Sequence, residues 1–408
     1  MKTYDNVLKN GAKQSTIKNA NRSLVLEVLN TMGMTSRTKL AEVTGLTKTS
    51  ITNITTELIS KNIICEVGCG ESEIGRKPTM LDISNQSPCA IGISINRDFV
   101  YVSLVNLRGD LLSEESYVLH QTETQKSLIE GIYHCCDRIF KIANEEKKID
   151  IIGIGVASIG PLDIKHGKIL SPPHFKGLKD ILIVEMLEKK YELPVFLDND
   201  MNASAIAEKL FGYGKELTNF ISMGVTNGIG AGVVINKKIY RGNNGFAGEV
   251  GHISIDLEGK KCPCGNRGCL ELYAGIPFIV EETKKQLKKT ENSLLNNLTD
   301  IRWLDIIDAA QKGDKVCINV IKKLAEYLSV GLITLINVYD PQVVFLGHEV
   351  VIAKELIIDE LQKNINEKIF SKGLGGVEIR VSKFTDMQYK INGAAILIYN
   401  FFTGLIEE

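Results

Sequence analysis

Gly245-Phe-Ala-Gly-Glu-Val-Gly-His252 is followed ten residues later by Cys262-Pro-Cys264-Gly-Asn-Arg-Gly-Cys269-Leu-Glu271. Three thiols and an imidazole are the soft donors that tetrahedral zinc prefers, and glycines let a short loop wrap an ion. The expected ligands are therefore His252, Cys262, Cys264 and Cys269. Structural zinc contributes about 10–16 kcal/mol of apparent binding energy, enough to fix a loop with little core of its own. No carboxylate-held water is evident in the group, so the zinc reads as structural. The alternative is a set of reduced, unliganded cysteines beside an ordinary buried histidine.

Glu249 and Glu271 flank this loop. Upstream, Leu197-Asp198-Asn199-Asp200-Met201-Asn202 ends an apolar run that reads as a strand, where ligands of α/β sheets tend to sit. Asn199, Asp200, Glu249, His252 and Glu271 together supply acceptors and donors suited to neighbouring hydroxyls, which fits a sugar. Singly, each acid reads as a solvated loop charge; their joint occurrence carries the sugar assignment. Met223-Gly-Val-Thr-Asn-Gly228-Ile-Gly230-Ala-Gly232 reads either as a phosphate cradle or as a hairpin that needs positive φ.

Farther out, one pattern occurs twice. Ala90–Ile95, Phe99–Asn106 and Leu111–Leu119 read as strands, followed by a helix over Lys126–Asn144 and strands over Asp150–Ser158 and Pro194–Asp200. It begins again with Phe220–Val225, Ile229–Ile235 and Lys238–Arg241, then helices and a strand over Gln342–Gly347, with a closing helix over Asn392–Phe402. Two βββ-α-β units predict two α/β lobes with a ligand cleft. Lobe one covers about 87–200 plus 392–408, and lobe two about 201–391.

Residues 1–86 read differently. Ser23–Met32 places Leu24, Val25, Val28, Leu29 and Met32 on a helical stripe. Ser36 can cap a short helix with Leu40 and Val43 inward, Thr44-Gly45-Leu46 makes a turn, and Thr47 can cap the next helix. There Ile51, Ile54, Leu58 and Ile59 share a face. Thr49, Thr52, Asn53 and Thr56 lie opposite, with Lys48 and Ser50 near the N-terminus. Ile63–Val67 and Thr79–Ile83 read as strands around a loop holding Gly75-Arg76-Lys77-Pro78. Turn, recognition face and basic wing in this order predict a winged helix-turn-helix DNA-binding domain. Lys48, Thr49, Ser50, Thr52 and Asn53 would meet bases, and Arg76 and Lys77 phosphates or the minor groove. The alternative is a helical protein-interaction module with a solvated polar face.

Composition agrees. The 408 residues are 44% apolar and 24% charged, which excludes a disordered or collagenous chain. No apolar run approaches the roughly 18 residues of a membrane span, and the polar start lacks a signal core, so a cytoplasmic protein is expected. Residues 1–86 hold 11 Lys/Arg against 8 Asp/Glu, a mildly basic head on an acidic body. Nine cysteines at irregular spacing argue against a disulfide framework.

The stretch from Gly245 to Glu271 resembles the signature of the ROK family (repressors, open reading frames, kinases), and the similarity runs from the head through Asn392-Gly393-Ala394-Ala395. The head with Gly75-Arg76-Lys77-Pro78 resembles the family's repressor branch. Leu197–Asn202, Tyr240-Arg241-Gly242 and the metal loop look most like its xylose repressors from low-GC Gram-positive bacteria. The resemblance implies an actin-like, hexokinase-type fold, a homodimer or tetramer, a Cys3His zinc and a monosaccharide in the interlobe cleft. It also assigns sugar contact to Asn199, Asp200, Glu249, His252 and Glu271. In the kinase branch, the residue at Asp200 is the base that deprotonates the accepting hydroxyl.

Kinases of the family open the first strand pair with Asp-x-Gly-Gly-Thr, which approaches the ATP phosphates; here the stretch reads Ser94-Ile95-Asn96-Arg97-Asp98. Asp98 would add negative charge near a triphosphate, and phosphoryl transfer depends on charge neutralisation. His174-Phe175-Lys176-Gly177-Leu178 also departs from the family's Asn-Leu-Pro-Gly-Trp-like loop. The expectation is a non-enzymatic, sugar-responsive repressor that leaves an inverted-repeat operator when xylose, or a glucose-like pyranose, binds. The rivals are a sugar kinase with an appended DNA-binding head and an interaction protein indifferent to sugar.

Overall fold

The computed structural model describes residues 14–69, 77–147, 149–385 and 387–406. The chain divides into two compact units. One runs to Phe211 and resumes at Tyr389; the other is Gly212–Gln388.

The first unit opens with α1 (Gln14–Met32), β1 (Thr35–Ser36), α2 (Arg37–Thr44), α3 (Lys48–Ser60), β2 (Ile64–Cys69) and β3 (Thr79–Ile83). The strands form an antiparallel sheet in the order β1-β3-β2. Local chemistry sets the helix ends. Ser36 Oγ accepts from the Lys39 amide, Gly45 closes α2 at φ 72°, and Thr47 Oγ1 accepts from the Ser50 amide. Leu26, Leu29, Leu40, Ile51, Leu58, Ile63 and Leu81 form the buried centre.

Leu24, Met32 and Val43 were expected inside but are exposed. α1 starts at Gln14, ahead of the expected Ser23, and buries Val25, Leu26, Leu29 and Asn30. A 100° step leaves Leu24 opposite that stripe and Met32 at its edge. The two-turn α2 sends only Leu40 into the core. Thr55, by contrast, is fully buried: its hydroxyl donates to Ile51 O at 2.8 Å and accepts from Arg37 Nε at 3.1 Å.

The rest of this unit carries β4 (Cys89–Ile95), β5 (Phe99–Asn106), β6 (Leu111–Val118), α4 (Gln125–Lys141), β7 (Ile151–Ser158), a small hairpin of β8 (Leu162–Asp163) and β9 (Lys168–Ile169), α5 (Ile183–Tyr191), β10 (Val195–Asn199) and α6 (Asp200–Phe211). The large sheet has the order β10-β7-β4-β5-β6. β7 runs parallel to β4 and to β10, whereas β5 runs antiparallel to β4 and to β6. β4 is buried throughout and β6 alternates, as a covered central strand and a half-wet edge should. The C-terminal helix Gln388–Phe402 lies directly on this sheet: a Cβ on Gly155 would sit 2.0 Å from Gly393 O, so only glycine permits the contact.

α6 belongs to this unit, so the break falls after Phe211, not after residue 200, and the returning segment starts at Tyr389, ahead of Asn392. The reason is packing. Met201–Glu208, Leu210 and Phe211 are all buried, and Asn392 Nδ2 donates to Ser204 Oγ at 2.8 Å. The head shares the unit as well: Arg108 Nη1 donates to Asp82 Oδ2 at 2.8 Å and to Ile83 O at 2.7 Å.

The second unit contains β11 (Phe220–Val225), β12 (Ile229–Ile235), β13 (Lys238–Ile239), α7 (Glu271–Ala274), α8 (Ile276–Leu287), α9 (Trp303–Gln311), α10 (Lys315–Tyr339), β14 (Val343–Gly347), α11 (Lys354–Lys368) and β15 (Glu378–Val381). Its sheet order, β13-β12-β11-β14-β15, repeats the topology of the first. β15 is short and half polar, and the sequence pattern does not reveal it. The long α10 buries Leu324, Leu328, Leu332 and Leu335 on one side. Among the described residues, no helix is long and apolar enough to cross a membrane.

Candidate functional site

The metal loop is built on close backbone contacts with β12. A Cβ on Gly248 (φ 89°) would lie 1.8 Å from Ala231 O, and one on Gly251 would lie 2.3 Å from Ile229 O. Glycine at both positions lets this segment seat against β12, where the Ala231 amide donates to Gly248 O at 2.9 Å. The seat fixes Glu249 and His252. Downstream, the Cys262 amide donates to Asn266 O at 2.8 Å, the Leu270 amide donates to Ile253 O at 3.0 Å, and Gly268 at φ 65° turns the chain under Asp256.

This folding gathers the four expected ligands. One donor atom each from His252, Cys262, Cys264 and Cys269 lies within 4.8 Å of the others. Cys264 Sγ and Cys269 Sγ are 3.6 Å apart, and Cys262 Sγ lies 3.9 Å from His252 Nδ1. Bond lengths near 2.3 Å to sulfur and 2.0 Å to nitrogen at tetrahedral angles require separations of about 3.5–3.8 Å. Donor chemistry and spacing both fit a tetrahedral metal. Burial pushes the Cys262 and Cys269 thiols up, whereas the Asn266 amide holds Cys264, the exposed member, below its ordinary value.

Glu271, first residue of α7, sits beside this cluster. Its Oε1 is 3.5 Å from His252 Nδ1 and 3.4 Å from Cys262 Sγ. Its Oε2 is 3.4 Å from where a Gly228 Cβ would stand. Glu249 is exposed by surface area, yet desolvation by the surrounding protein raises its carboxyl; His252 opposes the shift and Glu271 adds to it. The second unit thus brings Glu271 and His252 together, with Glu249 three residues away on the same turn. The glycine-rich stretch forms the β11–β12 hairpin, closed by the Thr226 amide on Gly228 O at 2.9 Å. Gly228, Gly230 and Gly232 do not take positive φ, so that expectation is not met.

In the first unit, Asn199 ends β10 and Asp200 opens α6, both half-buried. Asn199 Oδ1 and Asp200 Oδ1 each accept from the Met201 amide at 2.9 Å. Behind them Asp198, almost fully buried, accepts from the Asn199 amide at 2.8 Å and from Asn202 Nδ2 at 2.9 Å. Asn392 Nδ2 reaches Asp200 O at 3.3 Å. Ser94 Oγ, Asn202 Oδ1 and Asn392 Oδ1 are buried with no hydrogen-bond partner from the protein. Sequence reasoning gave these three no role. For the two amides the available signal was their place inside apolar runs, Met201-Asn202-Ala203 and Ile391-Asn392-Gly393.

In the head, Lys48, Thr49, Thr52 and Asn53 are exposed along α3, and Ser50 is half-buried. The Ser50 hydroxyl lies 2.9 Å from Thr47 Oγ1, and Thr52 Oγ1 donates to Lys48 O at 2.9 Å. Both hydroxyls therefore already serve the helix, while Lys48, Thr49 and Asn53 project from its outer face. Lys77 is exposed; Arg76 and Gly75 lie outside the described residues.

The two stretches that depart from the kinase pattern touch each other. The Asn96 amide donates to Phe99 O at 3.0 Å, Arg97 Nε to Pro173 O at 3.1 Å, and Lys176 Nζ pairs with Asp98 at 3.1 Å. Phe175, between them, is buried. The β4–β5 turn is thereby tied to the loop carrying His174–Leu178.

Two sheets of one topology, the glycine-seated turn and the Cys3His cluster define a class, and comparison agrees. The description "ROK family" matches residues 90–400. The chain belongs to the ROK family. It is 32% identical over 385 residues to the xylose repressor of Caldicellulosiruptor bescii, covering 94% of this chain and 96% of the relative. A solved ROK family transcriptional regulator, described as a homologue of the E. coli MLC protein, matches with a TM-score of 0.83 at 29% identity, over 96% of this chain and 98% of that one. A ROK family glucokinase from Streptomyces griseus, solved with glucose and AMPPNP, matches with a TM-score of 0.64 at 26% identity, over 75% of this chain and 98% of its own.

Proposed function

We propose that this protein is a sugar-responsive transcriptional repressor of carbohydrate genes, with xylose the first candidate effector. One observation carries the proposal: similarity to the named repressor and to the regulator extends over the head, whereas the glucokinase is matched almost whole by three quarters of this chain. The head is read as a winged helix-turn-helix in which Lys48, Thr49, Ser50, Thr52 and Asn53 face bases, and Arg76 and Lys77 the backbone. A homodimer or tetramer would set two recognition helices about 34–36 Å apart on an inverted repeat.

Asn199, Asp200, Glu249, His252 and Glu271 are the proposed sugar contacts. The metal is proposed to be structural zinc. His252 would ligate it through Nδ1, which faces Cys262, and offer its other nitrogen to a hydroxyl; ligation fixes that tautomer. The protein would act in the cytoplasm without phosphoryl transfer: Asn96 and Arg97 stand where the kinase branch has glycines, and Asp98, paired with Lys176 of the neighbouring loop, sets a carboxylate beside them. By linkage, operator DNA lowers sugar affinity by the factor with which sugar lowers operator affinity.

The test is a gel shift on DNA from upstream of the protein's own gene, with free and phosphorylated xylose, glucose and N-acetylglucosamine. Release by a free sugar is expected. Turnover of about 1–100 per second with ATP, magnesium and a sugar would overturn the proposal in favour of a kinase. Operator binding indifferent to every sugar would favour control by a protein partner.

A further inference from the structure

We infer that α6 carries effector occupancy to the DNA-binding head, through Asn30 on one side and the Arg108-Gly109 turn on the other. The inference rests on the proposed function and names the regulatory element of that site. α6 starts at Asp200 and ends at Phe211, about 18 Å at 1.5 Å per residue. Its sides are buried along most of that length, so a push at its first turn displaces it as a body; a close-packed interior offers no room for it to bend.

Its far end is linked to the head along two routes. Leu210 O belongs to the last turn, whose carbonyls have no partner within the helix. Asn30 Nδ2 of α1 donates to it at 3.0 Å. Asn30 lies on the buried stripe of α1, where an amide is tolerated only when hydrogen-bonded. The next residue, Phe211, makes the second link: a Cβ on Gly109 would be 2.7 Å from its ring, so the ring rests against the β5–β6 turn. From that turn, Arg108 holds Asp82 Oδ2 and Ile83 O at the end of β3. α1 packs on the helices α2 and α3, and β3 is a strand of the hairpin that carries Lys77. Two consecutive residues of α6 therefore connect to both walls of the head, Leu210 directly and Phe211 through the Arg108-Gly109 turn. A third strut, Arg22 of α1 over the Phe401 ring at 4.9 Å, joins the head to the C-terminal helix, whose Asn392 holds the first turn of α6.

The experiment uses full-length wild type, Asn30→Leu, which removes the donor at similar volume, and Phe211→Leu, which thins the contact with Gly109. Operator affinity is read by fluorescence anisotropy with and without D-xylose and D-glucose, and sugar affinity by calorimetry. Both variants should keep sugar affinity and sugar-free operator affinity. The sugar-induced weakening, ordinarily about 5–150-fold for such couplings, should shrink to under about 3-fold. An undiminished weakening in both variants overturns the assignment.

Should no sugar release the wild type, the proposed function falls, and a second arm still decides the role of α6. Upstream DNA alone should alter amide exchange at residues 200–204 in wild type and leave Asn30→Leu unchanged. Unaltered exchange in wild type, or the same change in both proteins, refutes the coupling.

Discussion

Gly248→Ala probes the seat of the candidate site. The new Cβ would lie 1.8 Å from Ala231 O, whereas real Cβ contacts stay at or above 3.0 Å, so the turn must retreat from β12 by about 1.2 Å. That stretches the 2.9 Å bond between the Ala231 amide and Gly248 O to about 4 Å, beyond hydrogen-bond range. A lost backbone bond costs about 1 kcal/mol, and alanine at φ 89° about another 1–2. The expected loss of stability is about 2–3 kcal/mol, which the unit should survive. The functional cost is larger, because His252 and Glu249 ride on the displaced turn while metal distances tolerate only about 0.2 Å. The variant should therefore fold and bind operator through its head, but hold less zinc and lose its sugar response. Thermal unfolding, zinc analysis by mass spectrometry and sugar calorimetry check this. Wild-type zinc content with wild-type sugar affinity would refute the claim that backbone packing against β12 positions both groups.

Cys264→Ser removes the exposed ligand and should lower zinc content without unfolding the unit, as elemental analysis and circular dichroism would show. Asn53→Ala should cost about 1–3 kcal/mol on a specific operator and relax base preference, whereas Lys77→Ala should weaken all sequences alike and flatten the salt slope by about one unit. A salt series on matched and scrambled DNA separates the two. Asp200→Ala should leave operator binding intact and abolish release by sugar; because Asn199 Oδ1 also accepts from the Met201 amide, stability should fall by under about 1 kcal/mol.

Where local chemistry decides, the sequence was legible. Ser36, Gly45 and Thr47 mark helix ends through their own side chains and φ angles, and β5, β11 and β12 run over the expected residues because apolar pattern and turn signals agree there. The Cys3His cluster was legible because thiols at that spacing have few other uses. Tertiary packing decides the rest. Neither Leu24 nor Val43 can show which neighbour will fail to cover it, and no local feature places α6 with the first unit instead of the second. Arg37, which joins Thr55 to Glu66, reads in sequence as one more surface charge. The Lys176–Asp98 pair spans 78 residues and becomes visible only when the two departures from the kinase pattern are seen to touch.

Release of an operator sets a demand in free energy that α6 must meet. A weakening near 150-fold, the upper end expected, takes about 3 kcal/mol of differential affinity. The Asn30–Leu210 hydrogen bond contributes about 1 kcal/mol net, so it cannot store that difference alone. Packing can. Displacing Phe211 from Gly109 or Leu210 from α1 costs close-packed contact, and large apolar side chains bury about 1.5–3 kcal/mol each. In a dimer both heads shift, so each protomer supplies about half of the total. Asn30 then acts to keep the end of α6 registered on α1, so that packing is lost in one direction and not dissipated by slippage. It follows that Phe211→Leu, which loses packing, and Asn30→Leu, which loses registration, should both lower the maximal extent of release. Full release by both variants across a sugar titration would contradict that reading.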